Sequence, residues 1–135
     1  MIKDLSGQTV SFGLSAVRCY YIPFGEKQKD GRREESERFV SLNGKWKFRA
    51  YEKLDDIGED FCSEILPDEI SVPSCVQYFG YDRFQYINVR YPFPFDPLRV
   101  PAKNPAFHYS RLFETDGKDR LYLVFEGVDS CLYVY

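Results

Sequence analysis

Asn88 is the polar side chain at the centre of an unusual stretch, Gln85-Tyr86-Ile87-Asn88-Val89-Arg90-Tyr91-Pro92-Phe93-Pro94-Phe95-Asp96-Pro97. Its amide donates and accepts hydrogen bonds at once, as a ligand hydroxyl also does. Proline fixes φ and has no N–H, so Pro92, Pro94 and Pro97 exclude a helix or a central strand here. What remains is an extended loop stiffened by rings and prolines, the kind of rigid segment on which binding residues sit. The plainer alternative is an Asx turn, in which the amide only stabilises its own loop. Residue type alone favours that alternative.

Other chemistry is sparse. His108 is the single histidine and falls on the polar side of an alternating segment, which suits a structural or exposed role. The acids Asp55, Asp56, Asp116 and Asp119 sit at turns or in solvated runs, and Glu126 and Asp129 at a sheet end or on a polar face. None is assigned a catalytic role. Cys19, Cys62, Cys75 and Cys131 form no C-x-x-C pair, and with one histidine a zinc site is not expected. They read as reduced thiols, mostly buried, with Cys131 the clearest core candidate.

The 135 residues suffice for one domain. Hydrophobic and charged shares of 44% and 29% are ordinary, whereas an aromatic share of 18% suits β-structure and also sugar-facing surfaces. A net charge of −3, with lysines and arginines interleaved among acids, gives no electrostatic case for nucleic acid. No apolar run approaches the ~20 residues of a membrane span, and the first residues carry no signal-like apolar region. A cytoplasmic location is expected.

The elements that must position Asn88 are short and strand-like. Residues 25–38 are almost wholly charged and read as a solvated loop. After the turn signal Ser41-Leu42-Asn43-Gly44, residues 45–51 alternate strictly, predicting a half-buried strand with Trp46, Phe48 and Ala50 inward. Residues 52–67 are less regular, with room for one short helical turn, and Ile70-Ser71-Val72-Pro73 is a short strand ended by proline. Residues 107–113 alternate again, placing Phe107, Tyr109 and Phe113 on one face. Residues 121–128 form the strongest strand pattern, and 131–135 begin another. Such a series argues an all-β antiparallel sandwich or jelly roll. The chain stops at Tyr135 inside an apolar strand, which reads as a jelly roll truncated within its C-terminal strands and a piece of a longer protein.

Several blocks, in order over roughly residues 39–135, resemble the N-terminal jelly-roll (galactose-binding-like) domain of family 2 glycoside hydrolases. Ser41 to Phe48 is similar to its "LNG-x-W-x-F" opening, and Val72 to Asp82 to "VPSNWQMHGYD". Gln85 to Pro97 resembles "YTNVxYPFPxDPP", Val100 to Pro105 "VPxxNP", and Leu123 to Ser130 "xxFxGVxS". The loop blocks point to the long, lactose-type β-galactosidases, and the Tyr20-to-Phe24 cluster resembles their N-terminal arm. Two departures are local: Cys75-Val76 replaces an asparagine and tryptophan, and Ile87 replaces the threonine before the asparagine.

The resemblance implies an arm and charged loop over 1–38 and a partial sugar-binding domain over 39–135. It implies a role in a retaining β-galactosidase acting on terminal β-D-galactosides such as lactose. Both catalytic glutamates would lie in a downstream (β/α)₈ barrel, so this segment alone would be inactive and would shape the substrate site and support assembly. Asn88 matches the asparagine that reaches the barrel's active site and binds galactose, and these flanks turn its reading from Asx turn to substrate ligand. Tyr86, Tyr91, Phe93 and Phe95 are expected to pack the loop against its sheet and the barrel. No cofactor is expected in this chain; Mg and Na are implied for the full-length enzyme, as is a homo-oligomer. The alternative is a stand-alone, non-catalytic carbohydrate-binding or protein-interaction sandwich.

Overall fold

The computed structural model describes residues 11–16, 19–27, 31–86, 88, 89, 91, 93, 95, 96, 99, 101, 103–117, 120–129 and 131–135. Regular structure among them is β: strands β1 (Gly44–Tyr51), β2 (Asp68–Val72) and β3 (Ala106–Ser110). Isolated 3₁₀ turns lie at Arg33–Glu35, Leu54–Asp56, Phe61–Ser63 and Val76–Phe79, and no α-helix occurs among the described residues. The strands form one antiparallel sheet in the order β2-β1-β3, with Trp46 opposite Ile70 and Phe48 opposite Tyr109.

The turn before β1 has a specific steric reason. Gly44 takes φ +127°, a region that side chains disfavour, and the Arg111 guanidinium lies 3.1 Å from where a Cβ would stand. Arg111 Nη1 donates to the carbonyls of Asn43 (3.3 Å) and Lys45 (3.1 Å), fastening the turn to the residue that follows β3. Trp46 Nε1 donates to Leu42 O at 2.7 Å and secures the same turn from the other side. β2 stops at Val72 because Pro73 has no N–H to continue the ladder, and the Val72–Pro73 bond is cis.

The period-2 alternation of β1 sorts the sheet into two faces. Phe48 is 0% exposed and Ile70 1%, and Val76 packs with them under a cover of Trp46, Val72, Phe107 and Tyr109. The Phe48 ring meets Tyr81 at 4.6 Å, Tyr109 edge-on at 5.0 Å and Phe107 at 6.1 Å between centroids. The opposite face is polar: Glu69 pairs with Lys47 at 3.0 Å and Lys45 at 3.7 Å, and Glu64 engages Arg49 and Tyr51.

The expected β1, β2 and β3 are all present, and residues 52–67 carry two short helical turns rather than one. Other expectations are corrected. Ala50 is exposed, and Phe113 lies past the end of β3, half uncovered. Residues 121–128, the strongest strand pattern in the sequence, form no strand, and neither do 131–135. The reason is pairing. A strand is stable only when its N–H and C=O groups meet a neighbour, and the edges β2 and β3 do not receive this segment. Cys131 is therefore exposed rather than core, and Cys19, Cys62 and Cys75 are exposed free thiols as well.

The accessible surface is 12600 Å², against roughly 7,400 Å² for a compact monomer of this mass. The core is thus small, and much apolar surface lies outside it. Phe48→Ala should lower the free energy of unfolding by about 3–5 kcal/mol, read from urea denaturation followed by the fluorescence of Trp46. A loss under ~1 kcal/mol would show that the ring cluster is not the centre of the fold.

Candidate functional site

The loop that carries Asn88 leaves the core through the turn Val76–Phe79. Val76 is buried beside Phe48, and Gly80 ends the turn with φ +79°, its N–H donating to Gln77 O at 3.2 Å. Tyr81 then lays its ring on Phe48, so the loop starts from a fixed point. Burial, followed by the carboxylate of Asp68, raises the Tyr81 hydroxyl above its usual pKa. Asp82 accepts from the Arg83 N–H at 2.7 Å and from Gln77 Nε2 at 3.5 Å, and Tyr78 meets Phe84 edge-on at 5.2 Å. The far end is closed by Arg99, whose N–H donates to Asp96 O at 3.2 Å while its guanidinium lies 3.6 Å from the Asp96 carboxylate.

Between these ends, Asn88 sits in a turn with Val89 and is exposed. Its side chain makes no hydrogen bond within the described residues, and Arg90, whose N–H an Asx turn would use, lies outside them. The rings around it face outward: Tyr86 is 84% exposed, Tyr91 75% and Phe95 79%. Tyr91 and Phe95 touch each other, 5.9 Å between centroids, and not the sheet. Packing against the sheet is thus corrected for Tyr86, Tyr91 and Phe95, whereas Phe93, at 38% exposed, is the most covered of the four rings. Expectations placed on Ile87, Pro92, Pro94, Pro97 and Asp119 fall outside the described residues.

The acids do not converge. Asp56 lies 3.7 Å from Lys53, and Asp55 and Asp129 are exposed. Glu126 accepts from the Arg33 guanidinium and, at 2.9 Å, from the Tyr20 hydroxyl, and these two donors hold its carboxyl below the usual range. A carboxylate so stabilised is a poor proton donor near neutral pH. Among the described residues no three His, Cys, Asp or Glu side chains come together in a way that fits a metal ion.

One grouping escapes sequence reasoning. Glu64 draws Arg49, Tyr51 and His108 together on the polar face of the sheet. Alternation along β1 puts Arg49 and Tyr51 on one side, but nothing in the spacing announces that a turn 15 residues later returns a carboxylate to them.

The described residues thus present an antiparallel sheet and, beyond it, an exposed segment carrying Asn88 among aromatic rings. Residues 39–135 match the family described as "Glycosyl hydrolases family 2, sugar binding domain", and the chain belongs to that family. It is 40% identical over 120 residues to a β-galactosidase of Actinobacillus pleuropneumoniae, covering 87% of this chain and 12% of that protein. It is 39% identical over 127 residues to a β-galactosidase of Staphylococcus xylosus, again 87% of this chain and 12% of the relative. For a β-galactosidase of Pectobacterium atrosepticum the values are 38% over 110 residues, 76% and 10%. The chain thus spans about an eighth or less of the length of these relatives. No solved structure matches it.

The anchoring role of Tyr81 can be separated from mere aromaticity. Tyr81→Ala should cost about 2–4 kcal/mol and speed backbone hydrogen exchange across residues 82–96. Tyr86→Ala, with its ring in water, should stay within ~0.5 kcal/mol of the parent. Equal effects would show that the loop is not hung from Phe48.

Proposed function

We propose that the chain is the N-terminal jelly-roll domain of a β-galactosidase that cleaves terminal β-D-galactosides, lactose among them, with retention of configuration. The observation that carries this reading is the family match over residues 39–135, together with β-galactosidase relatives near 40% identity. In this reading the rest of a longer enzyme covers the outward rings of the loop. Tyr86, Tyr91 and Phe95 offer the kind of exposed apolar patch that another protein surface covers.

The chemistry is divided between domains. A retaining glycosidase uses two carboxyls about 5–5.5 Å apart, one as nucleophile and one as acid and base. Glu64, Glu69 and Glu126 are each paired with a cation, as are Glu34, Asp56 and Asp96. In this reading the catalytic pair belongs to the downstream barrel, as the family resemblance implies. Mg and Na enter this reading only as cofactors that the family resemblance implies for the full-length enzyme. This segment contributes Asn88. Its NH₂ donates to a galactose hydroxyl oxygen while its carbonyl accepts the hydroxyl proton, orienting the sugar without taking part in bond cleavage. A cytoplasmic, homo-oligomeric enzyme completes the reading, and no helix among the described residues is long and apolar enough to cross a membrane.

The test is kinetic. In the full-length enzyme, Asn88→Ala should lower kcat/KM for a galactoside by roughly two- to tenfold, the loss of one neutral hydrogen bond, and leave thermal stability unchanged. Unchanged kinetics would remove Asn88 from the substrate site. Saturable galactose binding by the isolated chain, with no activity in the full-length protein, would favour a stand-alone binding module instead.

A further inference from the structure

The Glu64 cluster lies on the sheet face opposite Phe48 and takes no part in the reading above. Arg49 donates to Glu64 Oε1 and the Tyr51 hydroxyl donates to Oε2. His108 is the register partner of Arg49 across β1 and β3, and its side chain is only 13% exposed. Its Nδ1 is buried without a hydrogen-bond partner, 3.9 Å from Glu64 Oε2. The groups that face it are Arg49 and, through the shared carboxylate, Tyr51 from β1, and Glu64 and Phe61 from the turn that follows. The charged groups of β2 on this face are engaged elsewhere, Glu69 with Lys45 and Lys47. Phe61 sets its ring edge-on to His108 at 5.5 Å and to Tyr135 at 4.9 Å.

Neither neutral tautomer satisfies this nitrogen. A bare Nδ1 has no donor beside it, and an Nδ1–H has its nearest acceptor beyond hydrogen-bond reach. A proton taken from solvent changes the ranking of donors. The imidazolium N–H is charged and therefore a stronger donor to a carboxylate than the neutral Tyr51 hydroxyl. The Glu64 oxygen toward which Nδ1 lies, Oε2, already carries the Tyr51 hydroxyl, so the two donors meet there.

We propose that this cluster is a proton-operated switch in which Glu64 Oε2 exchanges the Tyr51 hydroxyl for His108 Nδ1–H on acidification. Glu64 ends the Phe61–Ser63 turn, so the exchange shifts that turn and, through Phe61, the seat of Tyr135. The switch rests neutral near pH 7: burial first, and then the charge of Arg49, hold His108 below its usual pKa. The linkage follows from that direction. The folded chain binds this proton more weakly than the unfolded chain, so the stability present above about pH 6.5 declines as pH falls below it.

With one histidine in the chain, its imidazole proton resonances report this group without ambiguity. In the wild-type chain the His108 midpoint should lie below about 6.5, and the Tyr51 ring resonances, assigned by their loss in Tyr51→Phe, should move with the same midpoint. Tyr51→Phe releases Oε2 and should tighten proton binding at His108 about two- to tenfold, while Glu64→Gln should weaken it. Tyr51 resonances that do not change between about pH 5 and 7 would overturn the proposal. So would a Tyr51→Phe midpoint that is unchanged or lower. Should Tyr51→Phe fail to fold, the Tyr51 resonances are assigned in the wild-type chain by backbone-to-ring NMR correlations, and the wild-type titration then decides the matter.

Discussion

The seating of the Phe48 ring is the contact on which the rest of the structure depends. It is the one large side chain held wholly out of water at the centre of β1, and each neighbouring part of the fold reaches it by a ring or a branched side chain. Tyr109 brings β3, Ile70 brings β2, Val76 brings the turn that opens the loop, and Tyr81 brings the loop itself. Offset and edge-on ring contacts of this kind add to burial about 0.5–1.5 kcal/mol each. In so small a core those increments decide whether the sheet has one arrangement or many.

Two ways of holding structure are therefore segregated by face. On the apolar face, non-directional burial fixes the origin of the Asn88 loop, and the loop beyond Tyr81 is then shaped by its own turn contacts. On the polar face, direction matters more than area: Glu64 and Glu69 each bind two donors, so the position of one carboxylate fixes two side chains on β1. The binding loop relies on the first face and the titratable cluster on the second.

The legible parts of the sequence were those written in local pattern. Alternation through Lys45 to Tyr51 exposes β1, Pro73 marks the end of β2, and the ring spacing of Phe107 and Tyr109 marks β3. That the described residues of the Asn88 loop are neither helix nor strand follows from its prolines, and the chain's kinship with family 2 glycoside hydrolases from its motif blocks. What stayed hidden was written in pairing. Leu121 to Val128 has the composition of a strand, but a strand is a relation between two segments, and no neighbour for it stands in this sheet. The cysteines follow the same logic, since each sits in a segment the sheet does not cover. Glu64 was invisible because its partners were assigned by a backbone reversal rather than by spacing.

The clamp on Glu126 bears on the order in which the chain assembles. Its donors Arg33 and Tyr20 lie 93 and 106 residues away in sequence, whereas the β1–β2 ladder joins residues only 20 to 28 apart, from Phe48 opposite Asp68 to Gly44 opposite Val72. Closing a long loop costs entropy before any contact rewards it, and an exposed, solvent-screened ion pair returns little. The β1–β2 hairpin is thus the natural first structure, β3 joins when Tyr109 finds Phe48, and the Glu126 clamp closes last. Being the weakest and most salt-screened closure, it is also the first to open, which makes the amino-terminal arm the part of this domain whose attachment answers to ionic strength.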